Sequence, residues 1–183
     1  MVSLNWLRTT AIIPGQPDPI NFLMSDNDIS SCISSLWDKD KNVRALNMQK
    51  IADKGKTAVP SLLPLLSDPD WVIRYRASEA LGLIKDPETI SPLIDLTRDE
   101  KDHVRYMAAK SLGGMEDPRV VPVLIGLLSD SHSYTRKIAA SGLIGKQDER
   151  ALLPLKLAFE SESDASTREI LHDAICSIEK EIT

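Results

Sequence analysis

Hydrophobic positions along this chain recur at helical spacing, and the helical pattern itself returns about every thirty residues. Five arginines mark the register. Arg44, Arg74, Arg105, Arg136 and Arg168 are separated by 30, 31, 31 and 32 residues, and six positions before each stands an acid: Asp38, Asp68, Asp99, Asp130 and Glu162. Three residues after the arginine come Ala77, Ala108 and Ala139, and seven after it come Ile51, Leu81, Leu112, Leu143 and Ile175. Spacings of three and four residues place these on one face, so the pattern predicts a helix, B, with a stripe to bury. Nine and five positions before the acid, Ile29, Val59, Ile90, Val121 and Leu153, then Ile33, Leu63, Ile94, Ile125 and Leu157, predict the buried face of a preceding helix, A.

Turn chemistry sharpens this reading. Asp86-Pro87 and Asp117-Pro118 place an N-cap acceptor before a proline at the first helical position, where a missing N–H costs nothing. Pro60, Pro92, Pro122 and Pro154 recur inside helix A and predict a bend repeated from unit to unit. Gly113-Gly114 reads as a helix-end cap. Residues 1–25, with Pro14, Gly15, Pro17 and Pro19, fall outside the repeat and read as a tail or lid partly packed on the first unit. The expected organisation is a segment 1–25 followed by a repeat domain 26–183, with units at about 26–55, 56–85, 86–116, 117–147 and 148–183.

An acid, five residues, then Arg, on paired helices about thirty residues long, resembles the HEAT repeat. Strings such as Val104-Arg105-Tyr106-Met107-Ala108-Ala109-Lys110-Ser111-Leu112-Gly113 resemble, more narrowly, the short HEAT-like repeats named after phycobilisome lyases. The resemblance implies an all-α fold: a right-handed α-solenoid of about five antiparallel two-helix repeats, with helix B lining the concave side. For function it implies a range running from scaffolds and adaptors to a minority of enzymes. The first and last units depart from the pattern, with Asn47 in place of Ala and polar Glu169, His172 and Asp173, as end caps do.

Composition narrows the function classes. A net charge of −5 and pI near 5.2 disfavour a surface built to hold phosphate backbones. The lack of a long apolar run predicts a cytoplasmic protein with no membrane partner. Cys32 and Cys176 stand far apart and read as small buried hydrophobes. No HExxH, phosphate loop, GxSxG or paired CxxC occurs, so no catalytic residue, cofactor or metal is expected. His103, His132 and His172 occupy positions that do not superpose from unit to unit and read as surface histidines, His103 near the groove.

The acid and Arg of each unit read as a structural ladder at the A-to-B turns. Opposite the buried stripe of helix B, at about 100° per residue, lie Val72, Tyr75, Arg76, Glu79, His103, Tyr106, Met107, Lys110, Tyr134, Lys137, Ile138 and Ser141. All three tyrosines fall there, beside Trp71, which suits a partner-binding face. The favoured reading is a non-enzymatic scaffold or adaptor, a monomer or weak homo-oligomer that presents this face to another protein. One alternative is an accessory lyase for a tetrapyrrole-type cofactor, by analogy with the phycobilisome group, which would need a groove nucleophile or acid, and only His103 qualifies. Another is nucleic-acid binding through Arg76, Lys110 and Lys137, opposed by Glu79 and the overall acidity.

Overall fold

The computed structural model describes residues 29–182, and the described residues contain helices and turns but no strand. The segment 1–25 therefore lies outside the described residues. Helix α1, helical over 29–34, runs into a 3-10 turn, Ser35–Trp37, before α2 (Lys41–Lys54). There follow α3 (Val59–Leu62), α4 (Trp71–Ile84), α5 (Ile90–Leu96), α6 (Asp102–Gly113), α7 (Val120–Leu127), α8 (Ser133–Ile144), α9 (Leu152–Ser161) and α10 (Ala165–Ile182). Odd-numbered helices are the A members of each hairpin and even-numbered ones the B members. Asp40 and Asp70 cap α2 and α4 through their carboxylates, which accept the amides of Asn42 and Val72 at 2.7 and 2.9 Å.

The B helices α4, α6, α8 and α10 pack on one another in sequence, and the A helices cover them on one side. Ala77, Ala108 and Ala139, with Leu81, Leu112 and Leu143, are fully buried, and one apolar cluster runs from Ile29 to Ile178. Small residues set the spacing between B helices. A Cβ on Gly82 would meet Ser111 Oγ at 2.2 Å and Ser111 Cα at 3.0 Å, and one on Gly113 would meet Gly142 Cα at 3.2 Å. Gly113 therefore lets two backbones approach, a role beyond the end-cap reading. Ser111 Oγ uses the approach to donate to the Ser78 carbonyl at 2.9 Å.

Three expectations are corrected. The recurring prolines do not bend a helix interior: Pro60, Pro92, Pro122 and Pro154 stand in the first turn of α3, α5, α7 and α9, where an N–H has no intrahelical acceptor. A 3-10 turn precedes three of these helices, at Gly55–Ala58, Pro87–Thr89 and Glu149–Ala151, so the A helix starts late instead of bending. Leu153 and Leu157 are 66% and 57% exposed, although the pattern places them on the buried face of helix A. The last arginine stands 32 residues after Arg136, so counting back from Glu162 misses the register of α9 by one: Ala151 and Leu155, 31 residues after Val120 and Leu124, are the buried pair, and Leu153 and Leu157 take the places of the exposed Pro122 and Gly126. Cys32 is buried, but Cys176 is only half-buried, with Sγ 3.6 Å from Nε2 of His172 one turn earlier.

The ladder joins units and does not close within one. Each guanidinium donates to the backbone of its own turn, Arg74 to the Asp68 carbonyl at 2.9 Å, Arg105 to that of Asp99 at 2.9 Å and Arg136 to that of Asp130 at 2.8 Å. The other edge of the fork reaches the acid of the next unit. Arg74 meets Asp99 at 2.7 and 2.8 Å, Arg105 meets Asp130 at 2.7 and 3.0 Å, and Arg136 meets Glu162 at 2.7 and 2.8 Å. These carboxylates also accept turn amides, of Lys101, His132, Ser163 and Asp164. The end members differ. Among the described residues Arg44 binds the carbonyls of Asp38 and Lys39 and no carboxylate, while Asp68 accepts the Asp70 amide; Arg168 lies 4.0 Å over the Phe159 ring.

These rungs predict where stability resides. Arg105→Ala strands the Asp130 carboxylate, whose side chain is 6% exposed, and should lower the unfolding free energy by roughly 3–5 kcal/mol. Arg44→Ala strands no carboxylate and should cost less than about 1 kcal/mol; urea denaturation compares the two, and equal losses would refute the inter-unit reading. Acid should act on the same rungs. Burial alone would raise the Asp99 and Asp130 carboxyls, but the Arg74 and Arg105 forks and the turn amides outweigh it, and the Arg136 fork likewise lowers Glu162. Depressed folded values stabilise above the unfolded ones, so the unfolding free energy should hold down to about pH 5 and fall below about pH 4, less steeply in Asp130→Asn. Gly82→Ala, which forces α4 and α6 apart, should cost roughly 1–3 kcal/mol, visible as a lowered melting temperature.

Candidate partner-binding groove

The exposed strip of the B helices is narrower than the helical wheel alone implies. Relative to the ladder arginine, positions −2, +1 and +5 carry Val72, Tyr75 and Glu79 on α4, His103, Tyr106 and Lys110 on α6, and Tyr134, Lys137 and Ser141 on α8, all exposed or half-buried. Position +2 lies about 60° round from +5 and next to +6, where Ala80 and Ser111 are buried between B helices. Met107 occupies it on α6 and is 2% exposed, so it belongs to the interior and not to the groove. Arg76 occupies it on α4, is half-buried and donates to the Leu36 carbonyl of the first unit. Ile138, at the same position of α8, is half-buried and packs against the core.

Two cavities follow the strip. The larger, about 460 Å³, lies across α2, α4 and α6 and is lined by Lys41, Arg44, Met48, Trp71, Tyr75, Arg76, Glu79 and His103. The smaller, about 180 Å³, is lined by Asp102, His103, Tyr106, His132 and Tyr134. His103 borders both, so they form one groove across four units.

Rings line this path in series. Trp71 and His103 have centroids 5.3 Å apart, His103 and His132 6.4 Å, and His132 and Tyr134 5.5 Å. Asp102 holds the middle of the series, its two oxygens meeting His103 Nδ1 at 2.9 Å and His132 Nε2 at 3.0 Å. The His103 contact is the main reason its carboxyl lies below the usual range. Burial raises the Tyr75 hydroxyl, helped by Glu79 and Tyr106. Arg76 is lowered by burial and then by Arg44, which lines the same cavity, against the opposite pull of Asp70 and Glu79.

The histidine arrangement was missed by reading each histidine alone. His103 stands two residues before Arg105 and His132 four before Arg136, offsets that differ within a unit yet meet across the interface between units. Asp102, one residue from His103, is the acid that could have signalled it. Lys41 and Arg44 were likewise absent from the expected face, because Arg44 was assigned to the ladder. Among the described residues no cluster of His, Cys, Asp and Glu is arranged to hold a metal ion, and no helix is long and apolar enough to cross a membrane.

Residues 29–104 and 90–175 match the family described as HEAT repeats, while no curated protein matches the chain. Among solved structures the chain is similar to one in the complex of CpcE and CpcF of phycocyanin lyase from Nostoc sp. PCC7120, at 24% identity and TM-score 0.73, over 81% of this chain and 98% of that one. It is similar to a designed armadillo repeat protein in complex with the peptide (KR)4, at 17% identity and TM-score 0.54, over 87% and 85%. It is also similar to YibA of E. coli, at 24% identity and TM-score 0.57, over 88% and 57%. At these identities the likenesses concern the fold, an α-solenoid. With the matched stretches reaching from residue 29 to residue 175 along a stack of helical hairpins joined by an arginine ladder, the chain belongs to the HEAT-repeat family.

Proposed function

We propose that the protein is a non-enzymatic scaffold or adaptor whose concave B-helix face holds a partner protein. The observation that carries this reading is the ring series from Trp71 to Tyr134, which crosses three units and ends on a tyrosine that is 62% exposed. Rings with few rotatable bonds supply contact area at low entropic cost, and Tyr134, stacked on His132, keeps most of its surface open to a partner. Two structural neighbours support the same use of the fold: one is seen in a two-protein complex and the other bound to a peptide.

A second reading, an accessory role toward a tetrapyrrole-type cofactor, draws support from the likeness to a phycocyanin lyase chain and from a cavity of about 460 Å³ lined by rings and cations. A visible absorbance band in protein purified from its native source would favour that reading. For nucleic acid, Glu79 and Asp102 lie in the path a phosphate backbone would follow.

A photo-crosslinking residue placed at Tyr134 should form an adduct with the partner in native extract, and one placed at the exposed Asp95 of α5 should not; adducts from Asp95 alone would place the partner elsewhere. Tyr106→Ala should then weaken the crosslinked partner by roughly tenfold while moving the melting temperature by only a few degrees. Unfolding of that variant would make Tyr106 a core residue.

A further inference from the structure

We propose that the groove is a receptor for an acidic, extended segment of the partner that also carries aromatic side chains, anchored where Arg44 and Arg76 meet. This deepens the reading of the groove as a protein-binding face and rests on it. The ladder itself supplies the first observation. Arg74, Arg105 and Arg136 each spend the outer edge of the guanidinium on a carboxylate of the next unit. Arg44, the equivalent residue of the first unit, has only the carbonyls of Asp38 and Lys39, and no acid among the described residues lies within ion-pairing distance of it. Arg44 instead lines the larger cavity beside Arg76, whose own contact is the Leu36 carbonyl. Two guanidiniums in one cavity, neither in direct ion pairing with a carboxylate among the described residues and with Glu79 as the cavity's one acid, leave room for an anion.

The charge of the rest of the groove gives the segment its direction. Lys41 lines the same cavity, and Lys110 and Lys137 stand on the exposed strip of α6 and α8, Lys137 near enough to Asp164 to lower its carboxyl. Glu79 is the one acid lining the larger cavity, and Asp102 is held between His103 and His132. On α10 the equivalent strip turns acidic, with Glu169 and Asp173 exposed, which ends the site at the fourth unit. A chain of net charge −5 thus concentrates cations along one groove. Three inter-unit steps of about 8–10 Å span roughly 24–30 Å, the reach of eight or nine extended residues.

The rings decide what stands between the carboxylates. Trp71 and Tyr75 line the anchor cavity with Met48, an apolar floor that rewards an aromatic side chain and that a bare polyanion would leave wet. A peptide alternating acidic and aromatic residues matches both features.

Fluorescence anisotropy with the full chain tests this. The probes are labelled nonapeptides built from alternating Glu and Phe, alternating Lys and Phe, and alternating Glu and Ser, with a nine-nucleotide oligothymidylate as a polyanion of another class. The Glu/Phe peptide should bind saturably and at least about tenfold more tightly than each of the others, and more weakly as salt rises. Lys41→Glu combined with Lys110→Glu changes two exposed side chains with no folding role, so its melting temperature should stay put while affinity falls roughly tenfold; Arg44→Gln should act likewise. Equal binding of the acidic and basic peptides, equal binding of the oligothymidylate, or an unchanged affinity in the double lysine variant overturns the proposal. If the native partner crosslinks at Tyr134 but the Glu/Phe peptide does not bind, the groove keeps its role and only the acidic chemistry falls.

Discussion

The two-edged arginine fork between units is the constraint on which the rest of this molecule depends. One edge of Arg74, Arg105 or Arg136 ties down the carbonyls of its own A-to-B turn, and the other clasps the acid of the next turn, with side chains only 11–20% exposed on the arginine and 2–8% on the acid. Charges so removed from water are costly to hold unless every donor and acceptor is matched, and here the acid's remaining capacity is filled by turn amides. The fork therefore fixes more than a distance. It orients each turn against the next, and with it the start of every B helix, from which the groove side chains project.

Apolar packing supplies the adhesion and the small residues its closeness. Gly82 against Ser111 and Gly113 against Gly142 bring adjacent B helices within backbone contact, so the strip at positions −2, +1 and +5 repeats at short intervals. That closeness is why Trp71, His103, His132 and Tyr134 form a series instead of four separate rings. It also explains why position +2 turns inward: a side chain there meets the neighbouring helix, which buries Met107 and directs Arg76 onto Leu36.

Much of this was legible in the sequence because a repeat prints each physical constraint several times. The arginine period, the alanines at +3 and the leucines at +7 located the B helices and the core, and the family match agrees with that reading. What escaped was information carried between units. The helical wheel of one unit treats position +2 as exposed, since it knows nothing of the next helix. The pairing of His103 with His132 likewise arises from different offsets brought together by stacking. Leu153 and Leu157 failed for another reason: one extra residue between α9 and Arg168 shifts the acid-based count, and the buried face of α9 runs through Ala151 and Leu155. The prolines were seen but misplaced, because a 3-10 turn of three or four residues ahead of α3, α5 and α9 has no strong signature apart from the α-helix it precedes.

The two ends of the stack then differ in kind. At the C-terminal end Arg168 spends its charge on the Phe159 ring and the carbonyls of Phe159 and Glu162, so the ladder closes on the chain itself. In the first described hairpin Asp68 accepts a turn amide, and Arg44 has no carboxylate partner among the described residues and lines a cavity. In a quasi-one-dimensional stack a unit held by fewer neighbour terms is the first to open. A ligand that gives Arg44 a carboxylate would supply a fork that the first described hairpin lacks, so occupancy of the groove and order in that hairpin would rise together. Binding and end-stability are in that sense a single equilibrium, set by the same guanidinium geometry that holds the interior.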